Sequence, residues 1–202
     1  PAKAIIVLPN NKNVVPAAEE LDALTRKTIH VIPTRSVVQG ISALIAYDPN
    51  ADAADTADEM VSASSLVTSG ELTRAVRDAR TPVGVIHEGD WLGMVDGTVT
   101  VIGASRRGSA LRRRLEKWVG GSARARTWLG SRSEGAEAEA LTSLLEAVVQ
   151  PRHEIVTVFT GEGSRPEVTR SATEWLSEHR PEATVHVADG GQPLYPYLIG
   201  AE

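Results

Sequence analysis

The chain has 202 residues, a formal net charge of −5 and 42% hydrophobic residues, and it contains no cysteine. The missing thiols exclude disulfides and thiolate metal sites, and the acidic balance argues against nucleic acid as the main partner. No apolar run approaches the ~20 residues that span a bilayer, and no signal-peptide pattern opens the sequence, so we expect a cytoplasmic protein without a membrane span.

The sequence begins at Pro1 rather than at a methionine, and a core-type strand follows almost at once. A natural amino terminus usually carries a few loose residues before its first buried strand. We therefore expect the chain to be a fragment of a longer protein.

The first third of the sequence predicts a parallel βαβα layer. A strand over Ala4 to Leu8 precedes a helix over about Val14 to Lys27, and a second strand covers Ile29 to Ile32. Two more helices follow, and this order favours a parallel sheet with crossover helices. We assign residues 1–67 to this Rossmann-like lobe.

The helices of this lobe are expected to turn apolar stripes towards the core. In the second helix, Ser36 and Gln39 have the spacing of a capping box. The apolar residues that fall at helical spacing are Val14, Ala17, Ala18, Leu21 and Leu24 in the first helix and Val38, Ile41, Leu44 and Ile45 in the second.

From Thr68 the apolar pattern alternates, and two turn signals within "VGVIHEGDWLGMVDGTVTVIG" predict an antiparallel meander. A helix over Ser109 to Val119 is expected next. Two similar segments follow, "WLGSRSEGAEAEALTSLLE" and "FTGEGSRPEVTRSATEWLS", and each predicts a strand, a glycine turn and a helix. After a strand over Thr184 to Val187, the final segment is expected to pack at a sheet edge. We assign residues 68–202 to this mixed lobe.

Polar side chains crowd the predicted ends of the first two strands. Asn10, Asn11 and Asn13 follow the first strand, where they could bind an anion or a polar partner group, or simply cap a helix. Thr34 and Arg35 follow the second strand and should face the same cleft, since the carboxyl ends of parallel strands meet at one edge. The stretch has neither a GxGxxG pattern nor a Walker loop, which argues against ATP binding there.

Four further residues are candidates for this polar cleft or for partner binding: Gln39, Arg77, Asp78 and Gln192. Arg77 and Asp78 are equally typical of an exposed strand end, and Gln192 could either pack or face a partner. The sequence offers no GxSxG motif, no paired histidines and no acidic cluster for magnesium, so we assign no catalytic, cofactor-binding or metal residue.

The sequence contains five segments in one order between Ala4 and Glu202: "IIVLPNNKNVVPAAEEL", "HVIPTRSVVQGISALIAYDP", "GELTRAVRD", "EGDWLGMVDG" and "GGQPLYPYLIGAE". Together they resemble the carboxy-terminal region of the bacterial fatty acid kinase A subunits, which are DAK2-domain, dihydroxyacetone kinase-like proteins. The resemblance implies a DegV-like fold, and it implies that Glu202 is the natural carboxyl end of a longer chain.

The resemblance also implies where chemistry takes place in such a protein. ATP and magnesium would bind a missing amino-terminal kinase domain, a middle domain would make the full-length chain a homodimer, and a DegV-like protein would deliver the fatty acid for acyl phosphate formation. The TSxPS-like lipid-binding signature of DegV proteins is replaced here by "PTRSVVQG".

Three roles therefore stay open at this point. The chain could be a non-catalytic domain that helps engage the DegV-like partner. It could bind a small phosphorylated or carboxylated ligand and contribute directly to phosphotransfer. Or it could serve only in the assembly of the longer protein.

Overall fold

A computed structural model of the chain describes residues 2–103 and 123–202, and along the helix that begins at Ala123 it describes side chains from Gly135. The predicted helix over Ser109 to Val119 lies outside these residues. Within the described ranges, no helix combines the length and the apolar character that crossing a bilayer requires.

The amino-terminal part contains two parallel strands, three α-helices and one 3₁₀ helix, and the strands and α-helices follow the predicted order. The elements are β1 (Ala4–Val7), α1 (Val15–Glu19), a 3₁₀ helix (Glu20–Leu24), β2 (Thr28–Val31), α2 (Val37–Ile45) and α3 (Ala53–Leu66). β1 pairs with β2 from Ala4 beside Thr28 to Val7 beside Val31. The division of the chain into two lobes at residue 67 stays a prediction.

The first helix is shorter than predicted, and its apolar stripe is not buried as a whole. α1 ends at Glu19, and the 3₁₀ helix continues to Leu24 rather than Lys27. A 3₁₀ helix has about three residues per turn, so its side chains rotate off the stripe that an α-helix would set. Ala18 is buried, whereas Leu24 is 80% exposed.

Ser36 caps α2 as predicted, although the reciprocal bond differs from that of a standard capping box. The Ser36 hydroxyl accepts a bond from the Gln39 backbone N–H at 3.2 Å. The Gln39 side-chain oxygen accepts from the backbone N–H of Arg35 at 2.8 Å, one residue before the position that a capping box uses. The start of α2 is therefore fixed by both side chains.

The buried face of α2 differs from the predicted stripe. Val38 is buried as expected, but Leu44 is 58% exposed and Ile45 is 81% exposed. The inward face is made of small residues instead, and the hydroxyl of buried Ser42 donates to the Ala63 carbonyl of α3 at 3.4 Å. Small side chains let α2 lie close to its neighbours, and this close packing turns the two larger residues outward.

The carboxy-terminal part is a six-stranded sheet with two long helices. Its elements are β3 (Thr68–Arg74), β4 (Ala79–Thr81), β5 (Gly84–Ile86), β6 (Trp91–Val95), β7 (Thr98–Gly103), α4 (Ala123–Val148), β8 (Ile155–Thr160), α5 (Pro166–His179), β9 (Thr184–Asp189) and β10 (Tyr197–Ala201). The strand order is β7-β6-β3-β10-β8-β9, and β4 and β5 form a separate hairpin. Among the described strands of this sheet only β8 and β9 are parallel neighbours, so the meander joined to an α/β portion is observed as predicted.

The last segment of the sequence occupies the middle of the sheet, and the predicted edge position is wrong. β10 is antiparallel to β3 on one side, where Ile199 pairs with Gly70, and to β8 on the other, where it pairs with Val158. All five residues of β10 are buried. A continuous apolar run is typical of a strand with both faces covered, and "YLIGA" is such a run.

The segment "WLGSRSEGAEAEALTSLLE" contains no strand, which corrects the prediction of two similar strand–turn–helix units. α4 runs without interruption from Ala123 to Val148, through both Gly130 and Gly135. A glycine inside a helix costs only about 1 kcal/mol relative to alanine. The packing of Leu141, Leu144 and Leu145 against the sheet outweighs that cost, since all three are fully buried.

The two faces of the six-stranded sheet are covered differently. α4 and α5 cover one face, and the largest buried cluster lies there, including Leu72, Leu144, Val158 and Ile199. α2 lies on the other face, where a Cβ at Gly200 would come within 2.4 Å of Val38. The glycine in β10 therefore allows α2 to contact the sheet.

Candidate functional site

The ends of β1 and β2 meet as the sequence predicts, and their polar groups bind each other. The backbone N–H of Asn10 donates to the Thr34 hydroxyl at 3.1 Å, and Thr34 is fully buried. Asn10 has a φ of 54°, a left-handed conformation that asparagine tolerates better than most residues. Its side chain lies against α2, where a Cβ at Gly40 would be 2.1 Å from the side-chain amide oxygen of Asn10.

Gln39 is bound to backbone at both ends of its amide. Its oxygen accepts from the Arg35 N–H, and its nitrogen donates to the Val67 carbonyl at 3.3 Å, which lies just before β3. This amide therefore links the start of α2 to the sheet. It is a structural contact, and the Arg35 side chain beside it is exposed.

Asn11 and Asn13 lie together on an exposed turn. The Asn11 side-chain oxygen accepts from the Asn13 N–H at 2.9 Å, and its backbone carbonyl accepts from Val14 and Val15. Neither asparagine caps α1, whose first flanking residue is Val14 and has no side-chain cap. The Asn13 side chain and the Asn11 amide nitrogen face a surface that a partner can reach.

Lys12, in the same turn, connects the amino-terminal part to the six-stranded sheet. Its ammonium donates to the Gly97 carbonyl in the β6–β7 turn at 2.6 Å. Burial raises the pKa of Glu71 in β3, the positive charge of Lys12 lowers it, and the nearby Asp96 carboxylate raises it. Lys12 thus favours the ionised form of a half-buried carboxyl group.

Replacing Lys12 by methionine is expected to raise the pKa of Glu71 further, because the favourable charge is lost. A group whose folded-state pKa is raised stabilises the fold below its unfolded pKa and loses that contribution as the pH rises through the folded value. The variant should therefore lose most stability, relative to the parent protein, at neutral pH and least in acid. A carboxyl-carbon NMR titration measures the pKa, with Lys27→Met as the matched control. An unchanged Glu71 pKa would show that Lys12 does not act on it.

Three predicted residues lie on other elements. Asp78 precedes the β4–β5 hairpin, where it accepts from the Glu88 N–H at 2.7 Å and lies 3.6 Å from the His87 ring. Arg77 is exposed beside it. The Gln192 nitrogen donates to the Phe159 and Tyr195 carbonyls at 3.3 and 2.9 Å, so this amide holds the final loop to the end of β8.

In the part of the chain that the structure describes, α2 and the residues just before it present an exposed surface beside these contacts. We call it the α2 surface and define it by Arg35, Val37, Leu44 and Ile45, all of which are exposed. Val37 and Leu44 lie two turns apart on one side of α2. A cationic group thus stands at one end of an exposed apolar stripe.

A second polar group, which no sequence pattern indicates, lies on the other face of the sheet. Glu137 of α4 is 1% exposed and forms a close ion pair with Arg165. The backbone N–H of Arg165 donates to the Tyr197 hydroxyl at 3.0 Å, and that hydroxyl donates to the Arg165 carbonyl at 3.2 Å. Burial raises the pKa of Tyr197. The residues come from α4, β10 and the turn before α5, so no local spacing could reveal them.

The architecture defines the class of protein first. It is similar to a DegV family protein from Corynebacterium glutamicum, with a TM-score of 0.55 and 12% identity, over 98% of this chain and 73% of the other. It is also similar to a DegV lipid binding protein from Thermotoga maritima, with a TM-score of 0.51 and 12% identity, over 99% and 69% of the two chains. The predicted DegV-like fold is confirmed.

The family follows from the sequence comparison. The model of the FakA-like C-terminal family, which describes the C-terminal part of fatty acid kinase A-like subunits, matches residues 1–124 and 130–202, so the chain belongs to this family. Protein YloV of Bacillus subtilis (strain 168) is 31% identical over 201 residues, and an uncharacterised protein of Staphylococcus aureus (strain bovine RF122 / ET3-1) is 30% identical over 200. Matches cover 100% and 99% of this chain, which spans 31% of the length of each relative.

Proposed function

We propose that this chain is the non-catalytic carboxy-terminal domain of an ATP-dependent fatty acid kinase subunit, and that it helps engage a DegV-like fatty-acid-binding partner for acyl phosphate formation. Membership of the FakA-like C-terminal family supports this proposal. ATP and magnesium would bind elsewhere in the longer protein, and the relatives' greater length leaves room for further domains. The longer protein would be a homodimer in the cytoplasm.

The exposed apolar stripe of α2 carries the proposal. Single exposed apolar residues are common on protein surfaces, but a contiguous group beside a charged residue is typical of an interaction site. Ile45 is 81% exposed, Leu44 58% and Val37 48%. Burying such a side chain contributes about 1.5–3 kcal/mol, enough to make α2 an anchor in an interface.

The neighbouring polar residues support protein binding more than small-molecule binding. The Thr34 hydroxyl accepts from the Asn10 backbone N–H, and the Gln39 amide binds backbone at both ends, so these side chains hold the start of α2 in place. Arg35, Asn11 and Asn13 remain exposed around it. A rigid apolar centre with a polar rim is the usual organisation of a protein interface.

The test is retention of the purified DegV-like partner by the immobilised chain. Replacing both Leu44 and Ile45 by serine should weaken binding by at least about tenfold, since each lost apolar contact exceeds the 1.4 kcal/mol that a tenfold change requires. The matched control replaces two other highly exposed residues, Leu24 and Val76, by serine. Equal retention by both double variants would contradict a role for the α2 surface.

A second double variant, Asn11→Ala with Arg35→Ala, tests the polar rim separately. If neither double variant changes partner binding but the first alters the assembly of the longer protein, the α2 surface contacts another part of its own chain or a second copy. Sedimentation of the longer protein measures that outcome. Direct participation in phosphotransfer would require a ligand at the start of α2, which a thermal-shift screen with ATP, an acyl phosphate and glycerone phosphate tests.

A further inference from the structure

A pocket of about 730 Å³ lies where β3 ends and β6 begins, and it is also lined by Glu137 of α4, the turn before α5 and the loop before β10. We call it the Arg74 pocket. Its polar lining includes Arg74, Trp91, Glu137 and Arg165, and its apolar lining includes Val76, Leu92 and Leu194. Small-molecule sites usually have volumes of roughly 300–1,000 Å³ and apolar walls with a few convergent polar groups. The Arg74 pocket matches this description.

Among the described residues that line the pocket, Arg74 is a cation without a carboxylate in ion-pair contact. Arg165 is paired with Glu137, whereas Arg74 donates to the neutral Gly89 carbonyl at 3.1 Å and lies 4.0 Å above the centre of the Trp91 ring. Burial lowers the pKa of Arg74, with Glu137 raising it and Arg165 lowering it. Glu162 also lines the pocket, and both Glu162 and Arg74 are exposed to water, which screens their two charges alike.

Two buried polar atoms in the same lining lack a hydrogen-bond partner in the described part of the chain. One is the indole nitrogen of Trp91, a donor, and the other is the second carboxylate oxygen of Glu137, an acceptor. Trp91 is 2% exposed and Glu137 is 1% exposed. Leaving a buried polar group without a partner is energetically costly, so such groups usually meet a ligand or an ordered water.

The requirements of these atoms define the chemistry of an occupant. A guanidinium group binds a carboxylate or phosphate, and the pocket's apolar side chains bind a hydrocarbon body. A hydroxyl group can both accept from an indole N–H and donate to a carboxylate. Water could also hydrogen-bond to the Trp91 indole N–H and the Glu137 carboxylate. Water would not, however, contact the apolar walls favourably or neutralise the charge of Arg74.

We propose that the Arg74 pocket is a binding site for a small organic anion, a carboxylate or a phosphate ester, that has an apolar body and a hydroxyl group. The anionic group contacts Arg74, and the hydroxyl group supplies hydrogen bonds to Trp91 and Glu137. This site is separate from the α2 surface, and it does not depend on the function proposed for that surface.

The experiment follows the indole N–H resonance of Trp91 in a proton–nitrogen correlation NMR spectrum. Trp91→Phe identifies the resonance by its loss. The chain is titrated with four probes that share one ring system: hydroxynaphthoate, naphthoate, naphthyl phosphate and naphthol. Hydroxynaphthoate should shift the Trp91 resonance and bind more tightly than naphthoate, which lacks the hydroxyl group, or naphthol, which is neutral. Comparing the affinities of naphthyl phosphate and naphthoate shows whether the pocket prefers a phosphate or a carboxylate ligand.

Variants at Arg74 show whether the anion is recognised there. Arg74→Gln keeps a side chain over Trp91 but removes the charge. It should weaken hydroxynaphthoate binding by about tenfold or more, since hydrogen bonds to charged groups are stronger than those between neutral groups. Arg74→Lys should restore part of the affinity. Arg77→Gln is the matched control, because Arg77 is exposed and lies three residues away.

Three results would overturn the proposal. If no probe shifts the Trp91 resonance, the pocket holds water only. If naphthol binds as tightly as hydroxynaphthoate, the pocket does not select an anion. If Arg74→Gln and Arg77→Gln bind with equal affinity, Arg74 is not the recognition group. Unchanged resonances elsewhere in the spectra of the variants establish that each remains folded.

Discussion

Replacing Ile199 by alanine is expected to lower the free energy of unfolding by about 2–5 kcal/mol, which is the usual range for truncating a fully buried isoleucine. Ile199 is completely buried in the central strand β10, between its partners Gly70 and Val158. Val148 of α4 lies over the same position, since a Cβ at Gly70 would approach both Val148 and Ile199. The cavity would therefore open between the sheet and its longest helix, where several rigid elements prevent collapse.

Ile45→Ala is the matched control for this change. Ile45 is 81% exposed on α2, so the same truncation should change stability by less than about 0.5 kcal/mol. Urea denaturation measures the free energy of unfolding of both variants. If the dependence of that free energy on urea concentration is unchanged, differences between the unfolding midpoints report differences in stability. Equal losses in the two variants would contradict the central position of β10.

Replacing Gly161 by alanine is expected to destabilise the chain by about 1–3 kcal/mol through overpacking. An added Cβ would lie 2.5 Å from the backbone carbonyl oxygens of both Gln192 and Tyr195. These oxygens belong to the loop that enters β10, and that loop is held by a bond from the Glu162 N–H to the Gln192 carbonyl at 2.9 Å. The backbone of that loop would have to move, because the two nearest atoms are backbone oxygens and moving the Gln192 side chain would not relieve their clash.

Gly135→Ala is expected to raise the free energy of unfolding rather than lower it. Gly135 lies inside α4, and nothing lies within 4 Å of an added Cβ there. Alanine is a better helix former than glycine by about 1 kcal/mol, so this variant should gain stability. Thermal or urea unfolding measures the change in stability of Gly161→Ala and Gly135→Ala. A gain at Gly161, or a loss at Gly135 as large as that expected at Gly161, would show that the close contacts around Gly161 do not determine the effect.

The parts of the fold that local signals determine could be predicted from the sequence. The parallel pairing of β1 and β2 follows from the order of strands and helices, and Ser36 is a helix cap by its chemistry and position. The turn at Asp96 and Gly97 joins β6 and β7 as its sequence indicates, with both residues at positive φ. These features depend on a few neighbouring residues.

Features that depend on distant contacts could not be predicted in the same way. The position of β10 is set by its pairing with β3 and β8, and no pattern within "YLIGA" names those partners, although its unbroken apolar character indicates burial. The glycines of α4 suggested a turn because the sheet that stabilises this helix is formed by remote segments. Both errors arise from tertiary packing that overrides local preference.

The candidate site shows the same division. The meeting of Asn10 and Thr34 follows from two parallel strands that end side by side, and it is observed at 3.1 Å. The parallel strands do not determine the direction in which each side chain points. Gln39, for example, binds backbone rather than facing a cleft. The Arg74 pocket could not be predicted at all, since its polar lining is drawn from β3, β6, α4 and the turn before α5.

The central place of β10 has a consequence for how the chain is made. β3 has β6 on one side and needs β10 on the other, but α4, β8, α5 and β9 are all translated between β3 and β10. While the ribosome synthesises them, one row of hydrogen-bonding groups on β3 stays open, and open strand edges pair readily with other nascent polypeptides. We therefore expect that edge of β3 to be open to pairing with other polypeptides until β10 has been synthesised.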